Sequence, residues 1–363
     1  MTTINKHNKA VSTLAIAVII IIIIAAIGGA YYYYSTTTSS HKKIVIYELI
    51  SMVANSYFGL MINGSKLAVS QLQAHGINVQ LVVLDADNTL STQISQIQEA
   101  IAAGANAILI NPVSSSGVVP YLAKAESQGI TVITLDRDTS NTSVRLCYVG
   151  SNNTLLGIMD AKAFVSFLRE SGKPTPWNVV FIEGPPSTGV GLIRNNAIMS
   201  VLQPFIQNGT IKLVSEQNGQ FLNTVTYSIM QSIIASTGGK IDGVITANGL
   251  EAEGAGQALM AAGIPIGLPN GVIVSAIDFT PDVMQALQNG EIVSTAGQSP
   301  FIMGYWGVYI AYYHITKGWN PPSVIITPSM LVTKNNIQQA LSTLQSAVPL
   351  SNVVPNAPPV PIS

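Results

Sequence analysis

Eleven side chains scattered along the chain carry groups suited to gripping a small polar molecule: Asn55, Tyr57, Phe58, Asn111, Asp136, Arg137, Arg194, Phe221, Asn248, Asp278 and Gln298. A carboxylate accepts hydrogen bonds, a guanidinium donates them in a planar fork, and an amide does both. A polyol presents hydroxyl groups around its ring and C–H groups above and below it. Polar side chains satisfy the hydroxyl rim, and aromatic faces pack on the C–H faces. The two carboxylates, Asp136 and Asp278, also have the residue types of a glycosidase pair. Against that use, Arg137 and Arg194 favour the ionised carboxylate, whereas a general acid needs a raised pKa. Each residue also has a purely structural explanation. Asn and Asp after a strand cap the next helix, Asp136 and Arg137 can form an ion pair, and Tyr57 and Phe58 can be core.

The elements that place these residues follow from the pattern beginning at Lys43. Short β-branched runs (KIVIYEL, NVQLVVLD, NAILIN, TVITLD, NVVFIEG, IKLVSEQ, DGVITAN, VIVSAID, EIVSTAG and VIITPS) alternate with segments such as STQISQIQEAIAAGA that have apolar residues at helical spacing. This alternation predicts an α/β fold with parallel sheets covered by helices on both faces. In such sheets ligands bind beyond the carboxyl ends of the strands. Asn111, Asp136, Asn248, Asp278 and Gln298 stand at or just past strand ends, and Asn55 follows the first strand closely. FIEGPPSTGVG lacks the G-x-x-x-x-G-K-[ST] pattern of a phosphate loop.

The chain has 363 residues, 16 Lys plus Arg and 17 Asp plus Glu, so 9% of its residues are charged, against about 25% in an ordinary soluble domain. A net charge of −1 supplies no basic field for nucleic acid. The length predicts two lobes. A single cysteine, Cys147, excludes an internal disulfide or a multi-cysteine zinc site and reads as a small buried hydrophobe. Residues 10–34 hold no ionisable group apart from tyrosine, and Lys6 and Lys9 precede them. That length spans a bilayer, and the flanking charge leaves the N-terminus inside and the remainder outside. Residues 35–40 read as a Ser/Thr tether. NKAVSTLAIAVIIII resembles the class III signals of archaeal pilin-like proteins, which implies cleavage after Ala10 with the helix retained. A pilin-like stem also raises the alternative of a surface structural subunit. Asn63, Asn141, Asn152 and Asn208 head glycosylation sequons. A surface of Ser, Thr, Asn and Gln suits an acidic exterior, where ion pairs are lost.

The exported part, about residues 43–332, resembles the type I periplasmic sugar-binding proteins, most closely the ribose-binding group. NSYF at residues 55–58 is similar to that family's Asn-Pro-Phe-Phe, with Ser56 in place of Pro. Asn111 in ILINPVSS, the Asp136–Arg137 pair, Arg194 in GLIRNNA, Phe221 in QNGQFLN, Asn248 in ITANGL, Asp278 in IDFTPD and Gln298 in TAGQSP carry the rest. The departures are Leu192 for an arginine, Gly249 for an aspartate and Ile277 for a phenylalanine. The resemblance implies two doubly wound parallel-sheet lobes joined by a three-strand hinge. Lobe one would be residues 43–151 with 299–327, lobe two 152–298 with 328–335, followed by a C-terminal extension over 336–363. It also implies that the eleven residues bind ligand without covalent chemistry or cofactor. The protein would be a cell-surface sugar carrier that closes on one monosaccharide and delivers it to ABC permease subunits. The near-complete residue set favours an aldopentose (arabinose, xylose or ribose), and Ile277 leaves room for a hexose. A related transcription regulator would carry a helix-turn-helix where this chain has its apolar segment.

Overall fold

The computed structural model describes residues 24–26, 28 and 43–359. The membrane segment expected over residues 10–34 lies outside the described residues except for 24–26 and 28, and the tether and the cleavage point lie wholly outside them. Among the described residues, no helix is long and apolar enough to cross a membrane.

From residue 44 onward the chain builds two six-stranded sheets. The first contains β1 (Ile44–Ile50), β2 (Val79–Asp85), β3 (Ala107–Ile110), β4 (Thr131–Leu135), β5 (Cys147–Gly150) and β11 (Val324–Ile326), in the order β11-β5-β4-β3-β1-β2. All its neighbours are parallel. The second contains β6 (Trp177–Glu183), β7 (Ile211–Asn218), β8 (Gly243–Thr246), β9 (Ile273–Ile277), β10 (Ser294–Gly297) and β12 (Met330–Val332), in the order β12-β10-β9-β8-β6-β7. Only β12 runs antiparallel. The central strands AILI, TVITL and IVSAI are buried at every position, as expected for parallel strands covered on both faces. In both sheets the strand order reverses at the first strand of the lobe, and the crevice at that switch point is where such sheets take ligands.

Each sheet has its own apolar core. In lobe one, helix α1 (Ser56–Ala74) lies against α9 (Pro300–Lys317). Their close crossing needs Gly64 and Gly304, because a Cβ on either would overlap a backbone carbonyl of the other helix. Cys147 is free and buried in this core, and burial pushes its thiol up to about 12, which leaves it unreactive. In lobe two, α4 (Asn153–Glu170) and α5 (Val190–Gln207) cover one face, and α6 (Asn223–Thr237), α7 (Gly249–Ala261) and α8 (Pro281–Asn289) the other.

The chain passes between the sheets after β5, after β10 and between β11 and β12. A fourth passage was not foreseen from the sequence. Helix α10 (Ile337–Leu344) packs into lobe two through Ile337, Ala340 and Leu344. The segment after it returns to lobe one, where Leu350, Val354 and Ala357 are buried. Trp306 Nε1 donates to the Val348 carbonyl at 2.7 Å and Tyr313 Oη to the Pro359 carbonyl at 2.5 Å. The Pro-rich extension is therefore a strap across the two lobes. Truncation after Gln345 removes two fully packed side chains, Leu350 and Val354, each worth about 1.5–3 kcal/mol. Denaturant unfolding of the truncated chain should show a loss of about 3–6 kcal/mol; unchanged stability would show that the strap adds nothing.

Candidate functional site

The site forms where the carboxyl ends of the two sheets face each other. Ten of the eleven residues singled out from the sequence line one cavity: Asn55, Tyr57, Phe58, Asp136, Arg137, Arg194, Phe221, Asn248, Asp278 and Gln298, with Val190 added. The non-atom space between these residues is about 320 Å³, with solvent at the open mouth included.

On the lobe-one side, Asp136 follows β4 with φ 62°. A non-glycine residue in the left-handed region costs about 1–2 kcal/mol and is held there only by its surroundings. Its Oδ1 accepts from Tyr57 Oη at 2.8 Å, its Oδ2 accepts from Asn111 Nδ2 at 3.1 Å, and Tyr148 Oη donates to its carbonyl at 2.9 Å. Asn111 itself does not reach the cavity. Its Oδ1 accepts from Ser51 Oγ at 2.5 Å, and its Nδ2 also donates to the Leu135 carbonyl at 3.1 Å, so it braces Asp136 from behind. Arg137 Nε stands 3.9 Å from Asp136 Oδ2, and its guanidinium lies 5.6 Å from the Phe58 ring centroid. Burial lowers the Arg137 pKa, with Asp136 opposing. Tyr57 and Phe58 belong to the lobe-one core and line the cavity as well, with rings edge to face at 5.2 Å.

On the lobe-two side, Arg194 is 3% exposed and fixed at three points. Its Nε donates to Asn153 Oδ1 at 2.8 Å, its Nη1 donates to the Ala247 carbonyl at 3.0 Å, and the same Nη1 lies 3.9 Å from Asp278 Oδ1. Asp278 also has a positive φ, 109°. Its Oδ1 accepts from Gln298 Nε2 at 2.6 Å, and its Oδ2 accepts from the Gly249 backbone N–H at 3.2 Å. Here the pKa argument drawn from the sequence needs correction. Burial raises the Asp278 pKa and outweighs the lowering by Arg194, Gln298 and Gly249, so the neighbouring guanidinium does not by itself keep this carboxyl strongly acidic. Burial likewise raises the Tyr57 pKa.

Capping and ligand exposure are combined at two positions. Asn55 Oδ1 accepts from Tyr57 N and Asn248 Oδ1 from Glu251 N, both at 2.9 Å, at the starts of α1 and α7. Among the described residues neither Nδ2 has a protein partner, so each amide can donate into the cavity. Gln298 Oε1 is buried with no partner among the described residues. Phe221 adds an aromatic wall, its ring centroid 5.9 Å from the Arg194 guanidinium. Ile277 does not line the cavity; it is buried in the lobe-two core, so the extra room read from its substitution is not found at this wall. The cleft is bridged by Ser56 Oγ donating to Asp282 Oδ2 at 2.9 Å and Ser115 Oγ donating to the Thr188 carbonyl at 3.1 Å.

Val190, Tyr148, Asn153 and Glu251 were not identified from the sequence. Asn153 follows directly after a sequon residue, and Glu251 sits in a helix-opening segment that reads as a solvated face. Of the four sequon asparagines, all are exposed. Ser65, the hydroxyl residue of the Asn63 triplet, is buried and donates to Glu48 Oε1 at 2.9 Å.

The periplasmic binding protein domain family matches residues 49–318. A candidate rhizopine-binding protein of Rhizobium meliloti is 31% identical over 264 residues, covering 72% of this chain and 82% of that protein. A ribose import binding protein of Haemophilus influenzae is 26% identical over 262 residues, with the same shares, 72% and 82%. An ABC transporter solute binding protein from Bacillus halodurans, solved with bound myo-inositol, matches with TM-score 0.72 and 22% identity, covering 84% of this chain and all of that one. At that identity the structural likeness speaks for the fold alone. These relatives are solute-binding proteins, not enzymes.

Proposed function

The chain belongs to the periplasmic binding protein domain family, and from that premise we propose that it is the monosaccharide-binding component of an ABC importer, working outside the cytoplasm. The observation that carries the reading is the buried Gln298 Oε1, an acceptor without a partner among the described residues. Gln298 lines a cavity whose other walls are carboxylates, guanidiniums, amide donors and aromatic faces. An unmet buried acceptor costs about 1–3 kcal/mol, and a sugar hydroxyl donating to it removes that cost. Left-handed backbone at Asp136, Phe221 and Asp278 adds support, since such strain collects at ligand clamps.

The ligand is an aldopentose: arabinose, xylose or ribose. It bridges the two lobes and shifts an open–closed equilibrium through its preference for the closed arrangement, and the permease reads closure. The eleven residues act as a hydrogen-bonding and stacking set, with Asn111 working through Asp136. The apolar run at 10–34 supports a domain tethered to the outer face of the membrane. A thermal-shift screen of the full chain against pentoses, hexoses and cyclitols tests the reading. Ligand at 1,000 times its Kd adds about 4 kcal/mol of stability, so one pentose should raise the melting temperature clearly. A shift with a hexose alone would move the ligand class, and no shift with any of them would remove the proposal.

A further inference from the structure

Behind the cavity wall lies a carboxyl group with no contact to the cavity itself. Glu251, in the first turn of α7, is completely buried. Its Oε1 accepts from the Phe221 backbone N–H at 2.9 Å and its Oε2 from the Ala247 N–H at 3.2 Å. Its own N–H is taken by Asn248 Oδ1 at 2.9 Å. The carbonyl of the same Ala247 accepts from Arg194 Nη1 at 3.0 Å. The Glu251 side chain is thus joined to the backbone of the aromatic wall and to the strand end that seats Arg194, while its backbone N–H meets the cap residue Asn248.

The loop is closed by the Leu222 N–H donating to the Gly219 carbonyl at 3.0 Å and tied to β6 by the Gly219 N–H donating to the Glu183 carbonyl at 2.9 Å, and neither bond engages the Phe221 N–H. Gln220 and Phe221 both lie in the left-handed region, φ 59° and 57°, at about 1–2 kcal/mol each. Asn218 Oδ1 accepts from Gln220 N at 2.8 Å, and the Phe221 N–H is left to Glu251. Gly219 clears the space: a Cβ there would stand 2.8 Å from Glu251 Oε1 and 2.5 Å from Thr226 Oγ1. We propose that Glu251 is a positioning residue for ligand binding, which fixes the Phe221 ring against the sugar by clamping the Phe221 backbone in its left-handed conformation.

The inference rests on the sugar-binding reading, and a double-mutant cycle on the full chain separates the two. With the pentose found by screening, Glu251→Gln should weaken binding about tenfold or more, because an amide offers one acceptor oxygen and turns an NH2 toward the second backbone N–H. In a Phe221→Ala background the same change should cost less than about threefold, since the ring it positions is gone. Glu251→Asp, too short to reach both N–H groups, replaces Glu251→Gln should that variant fail to fold. Hydrogen exchange supplies a readout independent of ligand: the Phe221 amide should exchange at least tenfold faster in either variant, with amides of β1 and β3 unchanged. Binding equal to wild type in the Glu251 variants, a full additive loss in the cycle, or an unprotected Phe221 amide in the wild type overturns the inference while leaving the sugar-binding reading intact. Failure of the wild type to bind any monosaccharide removes that reading and this one with it.

Discussion

Arg194→Ala should lower sugar affinity by about 2–5 kcal/mol, the cost of truncating one partner of a buried hydrogen-bonded charge pair. At tenfold per 1.4 kcal/mol, this is a loss between about thirtyfold and several thousandfold. The size follows from the three-point seating of the guanidinium on Asn153, Ala247 and Asp278. Without it, Asp278 stays buried beside Gln298 and loses its nearby cation, and Phe221 loses the guanidinium beside its ring. Asn248→Ala should cost less, because it removes one donor and a cap. Calorimetry on both variants, with unfolding of the unliganded proteins as control, measures the difference. Affinity within threefold of wild type for Arg194→Ala would show that this residue is not part of the binding set.

The positions of the site residues were readable because parallel strands end visibly in sequence. Asn248, Asp278 and Gln298 each follow a β-branched run, and a residue just past such a strand projects into the crevice. Their choice between capping and binding was not readable. Asn55 and Asn248 cap with Oδ1 and line the cavity, so one side chain can serve both ends. The bracing groups were hidden for a different reason. Asn111 looked like its neighbours at strand ends, and only the side-chain packing turns it toward Asp136. Glu251 is charged and sits beside Glu253 in a helix opening, the pattern of a solvated face, yet the helix buries it. Strand β5 escaped the periodicity because four residues, CYVG, carry too little pattern and end on glycine. The strap escaped it because Pro breaks the repeat, although Leu350 and Val354 stand four residues apart on one side.

A buried carboxyl in lobe one gives the stability a measurable pH dependence. Glu48 lies within β1, fully buried, with Oε1 accepting from Ser65 Oγ and Oε2 unpartnered among the described residues. Burial pushes its carboxyl up to about 7, with Ser65 and Lys66 opposing. The folded-state pKa is raised above the ordinary 4.5, so its stabilising contribution is fully present below about pH 4.5 and is lost as the pH rises through about 7. At 1.36 kcal/mol per pH unit, the difference is about 3 kcal/mol. Glu253, half-buried and raised to about 7 by burial, adds a smaller change of the same sign. Burial also raises Asp160 and Glu251. Urea unfolding should therefore show stability increasing by about 3 kcal/mol or more between pH 8 and pH 4.5, with Glu48→Gln removing much of the slope. A chain that loses stability steadily over that interval would contradict both this assignment and the view that the fold suits an acidic exterior.

The central claim is that the cavity between the lobes takes one monosaccharide. Calorimetric titration of the full chain with the pentoses tests it most directly. One site per chain, a negative heat-capacity change from closure over the ring, and loss of the signal in Arg194→Ala are the predicted result. Absence of binding to every monosaccharide at millimolar concentration, or binding that Arg194→Ala leaves unchanged, would contradict it.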